Sequence, residues 1–333
     1  MKGFSPILSV TRKSKILISF IFALLFVLLF TSGCAQEPQE LREPSNITPL
    51  MWHVTSPEGQ TMYLFGSIHA ATEDIYPLPT AIMDAFNSCD YLAVEADQNS
   101  YNGIVREHIN KKALYEDGKT IVDEIGSDLY ERAKEALFDF GMEGWLARDV
   151  LVSHKTLDDF KPYMWEELLT IPSSDMSEIS RELGLDEFFI AEARKRRIDV
   201  LEIEPRGWVY EVMNTFSTPL NVFLIETAIN TQSIESHRLA FEEIYDAWKQ
   251  GDAQRLNELV FSREDMPEEL KEEYFNAIYI VRDVGMVEAA VRYMDEGKTV
   301  FFVTGAGHMV REGGIVDSLR ERGYTVEQVV WWE

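Results

Sequence analysis

Tyr63-Leu64-Phe65-Gly66-Ser67-Ile68-His69 and Phe301-Phe302-Val303-Thr304-Gly305-Ala306-Gly307-His308 are the two stretches from which the fold of this 333-residue chain is read. In each, a short apolar run of strand character leads into Gly-x-x-His. Around the first, Thr61 to Gly66 reads as a strand, Thr80 to Asn87 as a short helix opened by Pro77-Leu78-Pro79, and Cys89 to Glu95 as another strand. Strand, helix, strand at that spacing predicts a parallel unit. Around the second, Thr299 to Thr304 and Tyr324 to Trp331 read as strands flanking a helix over Gly314 to Arg322, a second unit of the same kind. Ile198 to Ile203 is a further strand after the helical stretch Leu185 to Arg197. The regions from about 100 to 180 and from 210 to 298 read as mainly helical. Leu220 to Trp248 and Leu270 to Met294 carry apolar residues at helical spacing, with Gly251-Asp252 between them. The expected fold is therefore α/β: a central mixed or mainly parallel sheet built from both chain ends, with a large helical middle region.

The N-terminus reads as an export signal. Lys2, Arg12, Lys13 and Lys15 form a basic stretch without an acid, and Ile16 to Phe30 is apolar except for Ser19. That length suits a signal-peptide core and is short for a spanning helix. Thr31-Ser32-Gly33-Cys34 resembles a bacterial lipobox, with Thr31 where Leu is usual. The expectation is a signal peptide over 1–33, lipid on Cys34, a flexible tether over 34–50 containing Pro38, Pro44 and Pro49, and a domain over 51–333. An uncleaved N-terminal anchor helix is the alternative. Either way the chain is expected at the cell membrane, facing outside the cytoplasm. Of the two cysteines, only Cys89 then remains in the folded part, which excludes an internal disulfide. A formal net charge of −26 repels phosphate backbones, so nucleic acid is not expected as a partner.

Two Gly-x-x-His loops point to a site. Glycine permits a positive φ and a tight exit from the strand, which leaves each histidine beyond the strand's carboxyl end. Open α/β sheets bind ligands there. On neighbouring strands, His69 and His308 would meet, and paired neutral imidazoles suit a divalent ion such as zinc, manganese, cobalt or iron. The plain alternative is two loop histidines hydrogen-bonded to backbone. Glu95 is the candidate carboxylate, as third ligand or as the base that activates water, because an acid ending an apolar strand needs a cationic partner. Asp97 could take its place. Glu204 ends a strand similarly, with Glu202 on the same side and Arg206 near enough to pair with either. Arg282 lies within an apolar helical stretch and calls for a carboxylate partner, or serves an oxyanion. His53, His108, His154 and His237 lie in polar or helical surroundings. Phosphate-binding loops, dinucleotide fingerprints, Gly-x-Ser-x-Gly elbows and His-Glu-x-x-His helices are absent from the sequence.

These blocks, in order, resemble the TraB/GumN family, which includes the pheromone-shutdown protein PrgY and the animal Tiki proteases. The opening block is Tyr63 to His69 with Tyr76-Pro77-Leu78-Pro79. The strand ending in Glu95 and Asp97 follows. Gly184-Leu185-Asp186 with the strand ending at Glu204 is similar to the central block. Gly305-Ala306-Gly307-His308, Gly313-Gly314 and Gly323-Tyr324-Thr325-Val326 are similar to the last. The resemblance implies a core related to erythromycin-esterase-like and ChaN-like folds. For the Tiki branch it implies metal-dependent peptide-bond hydrolysis, carried here by His69, His308, Glu95 and Arg282. Where the family has Asn after that arginine, this chain has Asp283, a negative charge expected to weaken Arg282 as an anion binder. Metal-dependent hydrolysis of a peptide or protein is the leading expectation. A non-catalytic lipoprotein that sequesters a peptide or signal, and a haem- or iron-handling lipoprotein, are the other readings.

Overall fold

A computed structural model describes residues 43–96, 112–116, 118–139, 156–174, 180–230, 234–263 and 266–330. The signal segment, Cys34 and Asp97 lie outside them. Six strands are seen: β1 (Met51–Thr55), β2 (Thr61–Ser67), β3 (Tyr91–Val94), β4 (Asp199–Glu202), β5 (Val300–Gly305) and β6 (Thr325–Gln328). They form one mixed sheet in the order β4-β3-β5-β2-β1-β6. The run β4, β3, β5, β2 is parallel, while β1 pairs antiparallel with both β2 and β6. Val300 to Thr304 is buried at every position, which is why this strand reads as an unbroken apolar run.

The α/β expectation holds, and the helix Thr80–Asn87 stands where it was read. The pairing within the expected units differs. β5, from the far end of the chain, inserts between β2 and β3. β6 lies at the sheet edge beyond β1 rather than beside β5. The hairpin strand β1 had no reading of its own, since Met51–Thr55 is too short to separate from the preceding polar segment. The end of the expected tether is also not free. Leu50 is fully buried, Ser45 N–H donates to Pro77 O at 2.9 Å, and Thr48 N–H donates to Lys249 O at 2.7 Å.

Phe65, Phe86, Phe189 and Phe301 pack into one aromatic cluster, with Phe189 and Phe301 centroids 4.8 Å apart. It locks the helix Leu185–Arg196 against the centre of the sheet. A second core, including Tyr163, Trp165 and Ile225, holds helices of the middle region together. The expected long helix from Leu270 is continuous but irregular: Glu268–Phe275, a π turn over Asn276–Ile280, then Val281–Asp295.

Gly66 is required by a close approach. A Cβ there would lie 3.2 Å from both Cα and Cβ of Ala306. The expected positive φ is not found at either Gly66 or Gly305, whose φ is −51°. Gly66 lies inside β2, and what it provides is room for the loop after β5 to cross over it.

Candidate functional site

β2 and β5 run side by side with Ser67 opposite Gly305, so the two Gly-x-x-His loops leave the sheet together. His69 follows β2, and its Nδ1–H donates to Asp186 Oδ2 at 2.9 Å. Asp186 is in the first turn of the helix Leu185–Arg196 and also accepts from Ser67 Oγ at 2.5 Å. His308 sits in the short helix Ala306–Val310, and its Nδ1–H donates to Asp283 Oδ1 at 2.5 Å. Asp283 Oδ2 is held in turn by Arg311 Nε at 2.8 Å and Nη2 at 2.7 Å. Each imidazole therefore has a carboxylate behind its Nδ1, which leaves Nε2 for the cleft.

Asp283 corrects the sequence expectation. It does not act on Arg282, because successive residues on a helix point to different faces. Its carboxylate is buried at 2% exposure and serves His308 and Arg311.

The side chains gather over Gly305. A Cβ at that position would be 3.4 Å from His69 Nε2, 3.5 Å from Glu95 Oε1 and 3.7 Å from His308 Cδ2. Glu95 Oε1 accepts the Gly305 N–H at 2.6 Å, and Oε2 accepts Arg282 Nη2 at 2.7 Å. Arg282 also donates from Nε to Glu204 Oε1 at 3.0 Å and from Nη2 to Glu204 Oε2 at 2.6 Å. Its Nη1 donates to Ile278 O at 3.4 Å. The guanidinium is thus largely committed to two carboxylates. Arg206 pairs with Glu202 at 2.7 Å, leaving Glu204 to Arg282.

The charges set the protonation states. Asp186 beside His69 raises that imidazole to about 9, against the opposing effect of its desolvation. Burial pushes Glu95 upward, but Arg282, His308 and His69 together outweigh it and hold the carboxyl at about 2. Glu204 is shifted the other way, because its burial outweighs the pull of Arg282. His308 is buried and His69 is exposed at the mouth of the cleft. That cleft, about 260 Å³, is lined by His69, Glu95, Tyr279, Arg282, Gly305 and His308. A second cleft of about 750 Å³ shares His69, Glu95 and Arg282 as walls and continues past Trp208 and Phe241.

Gly305→Val is expected to retain the fold, since the backbone there is extended and a Cβ meets only ordinary contacts. Its methyl groups would fill the space between His69, His308 and Glu95. Ligand or metal binding should fall at least about tenfold at an unchanged melting temperature, each tenfold being about 1.4 kcal/mol. Calorimetry beside a thermal melt checks both halves.

The family model that matches this chain is that of the TraB/PrgY/gumN family, over residues 50–328. The chain belongs to the TraB/PrgY/gumN family. No protein of curated function and no solved structure matches it. Among the described residues of this TraB/PrgY/gumN protein, no group of three or more His, Cys, Asp or Glu side chains is spaced to hold a metal ion. Glu95 Oε1 and Oε2 each accept one hydrogen bond, from Gly305 N–H and Arg282 Nη2, and each keeps a further lone pair beside the two imidazoles.

Of the residues singled out for the site, His69, His308, Glu95, Arg282, Gly305 and Glu204 come together around one cleft and the clamp behind it. Gly66 supports the loop from below. Sequence reading missed Asp186, Asp283 and Tyr279 as site residues. The first two had a usable signal: a metal- or proton-handling histidine commonly has a carboxylate on its other nitrogen. His53 lies on β1 against Tyr63, with ring centroids 5.1 Å apart, away from this group. His108 and His154 lie outside the described residues. Cys89 is a buried free thiol.

Proposed function

We propose that this TraB/PrgY/gumN protein is a metal-dependent hydrolase of peptide bonds, held at the outer face of the cytoplasmic membrane by lipid on Cys34. The observation that carries the catalytic reading is the matched pair of imidazoles. His69 and His308 come from adjacent parallel strands, each with its Nδ1–H on a carboxylate. Metal-binding histidines commonly donate Nδ1–H to a carboxylate in this way, which orients the ring and raises the basicity of Nε2, and an ion would displace the second proton that Asp186 favours on His69. His69 and His308 would be two of the protein ligands for zinc, manganese or cobalt, with Glu95 beside them as the third ligand or as the group that handles the water. Such an ion supplies Lewis acidity, which makes water acidic near neutral pH and polarises a carbonyl.

The remaining roles follow from the contacts. Glu95, ionised throughout the working pH range, orients a water beside the imidazoles by accepting a hydrogen bond. Arg282 holds Glu95 in place from behind. The anchoring reading rests on the basic stretch, the apolar run and the lipobox-like Thr31 to Cys34. No helix among the described residues is long and apolar enough to cross a membrane.

The second reading is capture of a peptide without cleavage, for which the larger cleft past Trp208 and Phe241 offers room. Elemental analysis of the full chain in detergent, with and without His69→Ala or His308→Ala, tests the first reading. Bound metal should fall to background in both variants, together with hydrolysis that a chelator abolishes. If neither variant loses metal, the site is not a metal centre. Peptide binding that survives His69→Ala without cleavage would favour capture.

A further inference from the structure

Peptide hydrolysis is accelerated by a hydrogen-bond donor at the oxygen that gains charge. Water adds to the carbonyl carbon, forming a C–O bond, and the carbonyl π pair moves onto oxygen. A base takes the proton the water releases; the oxyanion pair then re-forms C=O as the C–N bond breaks, and the departing nitrogen keeps the C–N pair and receives that proton. Preformed donors aimed at that oxygen are the usual source of stabilisation.

Several donors of the cleft are committed elsewhere. Arg282 gives Nε and Nη2 to Glu204 and Glu95. Gly305 N–H goes to Glu95, Ser67 Oγ to Asp186, and Trp248 Nε1 to Gly66 O. Of the two side-chain hydroxyls lining the cleft, Ser67 and Tyr279, only that of Tyr279 has no hydrogen-bond partner among the described residues.

Tyr279 lies in the π turn Asn276–Ile280, a distortion that recurs at functional sites. Its ring is 5.0 Å from the His308 ring, tilted by 49°. A Cβ on Gly307 would meet its Cε1 at 3.0 Å and its hydroxyl oxygen at 3.3 Å, so glycine there makes room for this side chain. Phe261, 4.8 Å away, and Phe275, 5.9 Å away, brace the ring. The hydroxyl is thus held in place over the second Gly-x-x-His loop, within the cleft that His69 and Glu95 also line.

We propose that the Tyr279 hydroxyl is a catalytic donor to the substrate carbonyl oxygen as negative charge builds on it. This rests on the hydrolase reading above. Tyr279→Phe removes the hydroxyl and keeps the ring packing. The full chain in detergent, supplied with manganese or zinc, is offered a pool of synthetic peptides and cleavage is read by mass spectrometry. Kinetics are then measured on one cleaved peptide. The phenylalanine variant should lose about 10²–10³-fold in kcat, with KM within about threefold of wild type, the pattern of a transition-state interaction. Metal content and melting temperature should not change. A kcat within about threefold of wild type, with His308→Ala inactive, would overturn the Tyr279 role and leave the hydrolase reading standing. A loss of kcat accompanied by lost metal or a lowered melting temperature would make Tyr279 a packing residue and also overturn it. No cleavage by the wild-type chain overturns both.

Discussion

Replacing Arg282 with methionine is expected to lower the unfolding free energy by about 3–5 kcal/mol. Arg282 is 6% exposed and Glu204 is 7% exposed, and the guanidinium bridges Glu204 to Glu95. Methionine matches much of the side-chain volume, so the loss reports charge rather than a cavity. Two carboxylates would be left with no cation between them, and each would have to protonate or admit water. The triple variant Arg282→Met, Glu95→Gln, Glu204→Gln should recover part of the loss, because neutral partners carry a smaller desolvation penalty. The loss should also shrink in acid. Glu95 is depressed from an ordinary 4.5 to about 2, so its share of stability is complete above about pH 4.5 and disappears as pH falls through about 2. Urea denaturation at pH 7 and pH 3 measures both effects. A loss below about 1 kcal/mol at pH 7 would mean that the clamp is solvated and not structural.

Asp283→Leu should produce the other large effect, on binding and stability together. Asp283 is 2% exposed and links His308 Nδ1 to the Arg311 guanidinium. Leucine leaves both donors without their acceptor. The cost is about 3–5 kcal/mol of stability for breaking a buried charged contact, and about 10–100-fold in metal affinity from the freed ring. Asp283→Asn separates the two consequences. Its amide oxygen can still accept from His308 Nδ1–H, so affinity should fall much less than in the leucine variant, while the charge opposite Arg311 is lost. Titration with manganese or zinc, beside denaturant unfolding, reads the pair. Equal affinity in Asp283→Leu and wild type would mean that His308 is not positioned through this carboxylate.

The legible part of the fold was the part written in local pattern. Val300 to Thr304 is apolar throughout because both faces of a central parallel strand are covered, and Thr80–Asn87 has its apolar residues on one helical face. His69 and His308 were legible because each follows such a strand in the same short loop. The edge strand β1 and the burial of Leu50 were not, since neither leaves a periodic trace in so few residues. Adjacency in sequence suggests that Asp283 acts on Arg282. On a helix the reverse holds, and Asp283 faces His308 while Arg282 faces Glu95 and Glu204.

By itself the sequence determined the α/β class, the family blocks and the two histidines, because hydrophobic period and short-range loop chemistry act over a few residues. The tertiary structure alone decided how those histidines are placed. β5, more than 200 residues downstream of β2, pairs beside it with Ser67 opposite Gly305. That register brings His308 to His69, sets a carboxylate behind each ring, commits Arg282 to two acids and leaves the Tyr279 hydroxyl unpartnered among the described residues. Long-range strand pairing carries no local signal, since its free energy comes from burial that exists only once the sheet has closed.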